Sequence, residues 1–173
     1  MTFSVLKSTT SMLVRLSSRV KGFAACEIVY DANEALETIN FYRFARFYNF
    51  VDFCQARIHD ENLYWAVENS NLQNATFAHY KGNAAQLKKI SRNVGANQGI
   101  SQAVVDMLTY YFTHDRVLEV SPAQKGVKWD TRNATHVAAQ YGIKLPKTSQ
   151  DERDALKIAL IGYTNYLLTK RKP

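Results

Sequence analysis

The densest apolar pattern in the chain runs from Asn40 to Phe53, where seven aromatic residues stand with no Gly or Pro among them. Polar residues recur through it at every third position: Glu37, Asn40, Arg43, Arg46, Asn49, Asp52 and Gln55. On a helix of 3.6 residues per turn a step of three slips by about 60°. The polar line therefore winds around the helix and leaves every side apolar somewhere along its length. That pattern predicts a central helix, capped by Asp31 or Asn33 and running to about Ile58, covered by other helices at different heights.

The other elements are predicted around it. Residues 2–22 place Phe3, Leu6, Leu13, Leu16 and Val20 near one side, as an amphipathic helix. Residues 24–32 suit a short extended segment or a bend, Leu63–Glu68 a short helix, and 75–80 a further apolar piece. From Asn83 the pattern suggests two helices, 84–94 and 101–112, joined by a turn at Gly95-Ala96-Asn97-Gln98-Gly99. The β-branched run 116–120 and the segment Val127–Asp130 then suggest a hairpin. Helix, turn, helix and hairpin is the order of a winged helix-turn-helix. Ser149 with Glu152 three residues on makes a capping box, acidic residues follow it, and Lys170, Arg171 and Lys172 close the pattern, predicting a last helix over 150–170.

These elements add up to a mainly α fold: a single-domain helical bundle over residues 1–173, around the aromatic-rich helix, with a short β-hairpin near 116–130. The length supports one core. Three Pro and seven Gly argue against a linker-rich chain, and no apolar run reaches the roughly 18–20 residues that would span a bilayer.

Charge adds a candidate partner. The net charge is +7, unevenly spread: basic over 1–25, acidic over 26–69, basic again over 70–173. Basic surface attracts polyanions. If 84–132 is a winged unit, Lys88, Lys89, Arg92, Lys125 and Lys128 would meet phosphates with Arg132 in support, while Gln98, Ser101 and Gln102 would lie near base edges. Against this, the turn is long and the second helix carries no Lys or Arg of its own. A second Ala…Gly-Ile pattern at 135–143 leads into Asp151-Glu152, which phosphate would repel, and suits a packing hairpin better.

Catalytic and metal motifs are absent from the sequence. His59, His79, His114 and His136 lack zinc-site spacing, and no Walker A, GxGxxG, HExxH or GxSxG pattern occurs. No catalytic residue, metal ligand or cofactor is therefore assigned. Cys26 and Cys54 are not paired as CxxC and suit buried free thiols in a reducing, intracellular setting. The acid-free, Ser-rich N-terminal segment also fits a mitochondrial presequence. The expected function is that of a small basic nucleic-acid-binding protein, of DNA or RNA, acting through 84–132. The alternatives are a protein–protein or assembly subunit docking through its N-terminal helix, as a homo-oligomer or on another chain, and an enzyme without a recognisable motif.

Overall fold

The computed structural model describes residues 10–16, 23–31, 33–72 and 82–170. Its centre is a five-stranded mixed sheet rather than a helix. The strands are β1 (Thr10–Leu16), β2 (Phe23–Tyr30), β3 (Leu36–Phe44), β4 (Leu63–Glu68) and β5 (Val117–Val120), in the spatial order β3-β2-β1-β4-β5. The first three form an antiparallel meander, β4 joins β1 in parallel with Val67 beside Val14, and β5 joins β4 in parallel. Only β2 runs against the other four. The helices are α1 (Phe47–Gln55), α2 (Ala84–Phe112), the single turn α3 (Pro122–Lys125), α4 (Thr131–Gln140) and α5 (Gln150–Lys170).

Alternation along β4 divides the core in two. Leu63, Trp65 and Val67 face α1 and α2, where Phe50, Val104, Leu108 and Phe112 meet them. The Trp65 and Phe112 rings lie 5.0 Å apart, within the range of favourable aromatic pairs. Ala66 faces the other way, with Cys26, Ile28, Tyr30 and Val120, and is covered by Ala155, Leu156, Ile158 and Ala159 of α5. Helix α5 comes so close that a Cβ built on Gly162 would fall 2.3 Å from the Ala66 Cβ. Glycine is required there for the helix to lie on the strand.

The mainly α reading is thus overturned in favour of mixed α/β, and the reasons are local. The aromatic segment is two elements, β3 and α1, joined through Ala45 and Arg46. In β3, Tyr42 and Phe44 pack toward one core while Ile39 and Phe41 pack toward the other. This edge strand sets apolar side chains on both faces and exposed polar ones between them, so it shows no clean two-residue alternation and its polar residues fall into a helix-like spacing. The short segment Leu63–Glu68 is a strand covered on both faces, which likewise loses the alternation. The N-terminal helix is contradicted where the chain is described, because Thr10–Leu16 is β1. The rest of that expectation, and the apolar piece at 75–80, lies outside the described residues.

The winged helix-turn-helix is also replaced. Residues 84–112 are one helix of 29 residues that runs straight through Gly95 and Gly99. Its inward side continues across the expected turn as Ile90, Val94, Asn97, Ser101, Val104, Val105, Leu108 and Phe112. That spacing of three and four outweighs the roughly 1 kcal/mol that each interior glycine costs a helix. There is no hairpin at 116–130: β5 pairs with β4, α3 follows, and residues 127–130 are irregular. The last helix agrees with expectation, with Ser149 capping Glu152 and the Glu152 carboxylate returning to the Ser149 N–H.

Candidate functional site

Strands β1, β3, β4 and β5 all end at one edge of the sheet, and β1 is where neighbours change from antiparallel to parallel. In open α/β sheets, ligands bind in the crevice outside such carboxyl ends, at the point where the topology switches. Glu68 is the last residue of β4 and faces the α5 side. After β5, Ser121 caps α3, Pro122 starts it, and Gly126, with φ of 61°, ends it. This abrupt turn turns Lys125 back into the protein, where it is only 7% exposed.

The Lys125 Nζ donates to both Glu68 carboxylate oxygens, at 2.9 and 2.8 Å, and lies 3.9 Å from Oδ2 of Asp154. Asp154, one turn into α5, is fully buried. Its other oxygen, Oδ1, accepts from Gln150 Nε2 at 2.8 Å, and the same amide donates to the Trp129 carbonyl at 3.1 Å. Two carboxylates from two elements therefore close on one ammonium. Such a cluster is retained at a desolvation cost of several kcal/mol per ion, which bulk stability does not explain.

A second ion pair borders it. Glu152 is buried at 5% exposure and takes both arms of Arg43 from β3, at 2.8 and 2.6 Å. Burial pushes the Glu152 carboxyl up, but the Arg43 guanidinium and the Ser149 cap outweigh it and hold the group below its ordinary value. On the outer side of α5, Arg153 donates to the Trp129 and Thr148 carbonyls, and Lys157 donates to the Val127 carbonyl at 2.7 Å. These bonds moor residues 127–130, with exposed Lys128, beside the start of α5. Helix α4 follows directly. Its Arg132, Asn133, Thr135 and His136 line an open cleft of 620 Å³. Among the described residues, no three His, Cys, Asp or Glu side chains converge as a metal site.

The residues expected to meet nucleic acid are divided between three environments. Lys88, Lys89 and Arg92 are exposed on the first half of α2, on the Trp65 side of the sheet. Gln98 is half-buried, its carbonyl accepting from Asn71. Ser101 is buried against the Ser70 hydroxyl, and exposed Gln102 bonds Asn71 and Asp106. Lys125 is internal. Lys128 and Arg132 are exposed on the α5 side. Only these last two share a face with the carboxylate edge. Glu68 and Asp154 carried no sequence motif, since 86 positions separate two ordinary acidic residues.

No protein family, curated protein or solved structure matches the chain. Among the described residues, no helix is long and apolar enough to cross a membrane.

Proposed function

We propose that the protein binds nucleic acid and acts on its phosphodiester backbone at Glu68, Lys125 and Asp154. The observation that carries this reading is the buried lysine held by two carboxylates where the parallel strands β4 and β5 end beside α5. Phosphodiester hydrolysis needs an acceptor for the proton of the attacking water and positive charge near the phosphoryl oxygens. Glu68, the more exposed of the two carboxylates, supplies the acceptor, and Lys125 supplies a cation in a low-dielectric setting where it acts strongly. The fully buried Asp154 positions Lys125 from behind. The net charge of +7 favours a polyanionic substrate, and Lys128 and Arg132 lie on the side from which its backbone would approach. Buried free Cys26 and Cys54 fit a reducing, intracellular setting.

The test is incubation of the full chain with end-labelled single- and double-stranded DNA and RNA, with Mg²⁺, with Mn²⁺ and with chelator. Cleavage is expected on one of these substrates, lost in Glu68→Gln and in Asp154→Asn while circular dichroism stays unchanged. The paired Lys128→Glu and Arg132→Glu variant should weaken binding and flatten its salt dependence. Intact strands under every condition would overturn the hydrolytic assignment, and salt-independent binding would overturn the nucleic-acid one.

A further inference from the structure

The outward side of α2 lies opposite its buried side and carries Ala84, Lys88, Arg92, Gly95, Gly99, Gln102, Asp106 and Tyr110. All are exposed, Tyr110 at 85%. At 3.6 residues per turn they fall within about 40° of a single line along the helix, which extends about 39 Å. The positions on this line are spaced symmetrically about its middle. An antiparallel copy centred between Gly95 and Gly99 would set Lys88 against Asp106, Arg92 against Gln102, Gly95 against Gly99 and Ala84 against Tyr110, each contact twice.

We infer that this face of α2 is the interface of a homodimer in which two copies of the helix pack antiparallel about a two-fold axis. A two-fold interface must be self-complementary, residue i meeting j as j meets i. Lys88 and Asp106 satisfy that condition in charge, and Asp106 is the only acid on the helix. Gly95 and Gly99 support the same occupant. Among the described residues a Cβ on either would meet nothing within 4 Å, and neither is required by a positive φ. Nothing described within one copy of the chain calls for glycine there, although each costs the helix roughly 1 kcal/mol against alanine. A second backbone approaching at the crossing point uses the missing side chains. The charges then choose the second copy and fix its direction, because a parallel pair would set Lys88 against Lys88 and Asp106 against Asp106.

The test is solution mass by sedimentation equilibrium on the full chain, without nucleic acid. Wild type is expected as a dimer. Lys88→Asp opposes two acids and Asp106→Lys opposes two lysines, so each should weaken dimerisation by about tenfold or more. The double variant K88D/D106K restores opposite charges across the axis and should return the dimer. Circular dichroism on each variant separates loss of dimer from loss of helix. A monomeric wild type, a mass unmoved by the single reversals, or a double variant that is not rescued would each overturn the inference.

Discussion

At the scale of single residues, Lys125 carries the most consequence. Its ammonium is the shared partner of Glu68 and Asp154, so Lys125→Met leaves two buried carboxylates facing each other. Removing one member of such a buried group costs roughly 3–5 kcal/mol, and a denaturant titration at neutral pH should read a loss of that size. Arg43 with Glu152 gives a pH-dependent counterpart. The Glu152 carboxyl is held below its ordinary 4.5 in the folded chain. Its contribution is therefore fully present above that value and is lost as pH falls through the folded pKa. Wild type should exceed Arg43→Gln in stability at pH 7, with the gap closing below pH 4.5. A gap that stayed constant down to pH 3 would mean that the ion pair does not set the titration.

At the scale of elements, two glycines in helices make opposite predictions. Gly162 lies where α5 touches β4, and its missing Cβ is the space occupied by Ala66. Gly162→Ala should destabilise by about 1–3 kcal/mol through overpacking, net of any gain in helix propensity. Gly95→Ala meets none of the described residues of its own chain and should raise the melting temperature of the monomer, a gain on the order of 1 kcal/mol. If α2 pairs with a second copy, the same change weakens the dimer, so thermal melts at low and high protein concentration should move in opposite directions. The elements also explain which parts of the chain were legible. Helix α5 announced itself through Ser149, Glu152 and a row of apolar positions that one capped helix suffices to explain. Strands β2, β3 and β4 did not, because apolar side chains on both faces remove the alternation by which a strand is known. Gly95 and Gly99 suggested a turn because glycine breaks isolated helices, whereas here the inward residues on either side continue one pattern.

At the scale of the whole molecule, the sheet order sets what can meet what. Glu68 and Asp154 come together because β4 ends beside the start of α5, and Lys125 joins them because β5 is parallel to β4 and ends at the same edge. The same order sends Lys88, Lys89 and Arg92 to the Trp65 side and Lys128 and Arg132 to the α5 side. A continuous cationic face over 84–132 is therefore not formed, and nucleic acid meeting the carboxylate edge would be held from the α5 side. Accordingly, charge reversal at Lys128 and Arg132 should reduce affinity for a labelled strand several-fold at low salt, while reversal at Lys89 alone should leave it unchanged.

By itself the sequence determined what short stretches control: the last helix and its cap, the free thiols, the net charge and the lack of a long apolar span. Those properties depend on neighbours a few positions apart. Tertiary structure alone decided that the aromatic stretch is a strand and a helix, that the glycines of α2 interrupt nothing, and that an acid at 68, a lysine at 125 and an acid at 154 form one group. Strand pairing brings distant residues together, and no local pattern records which partners a strand will take.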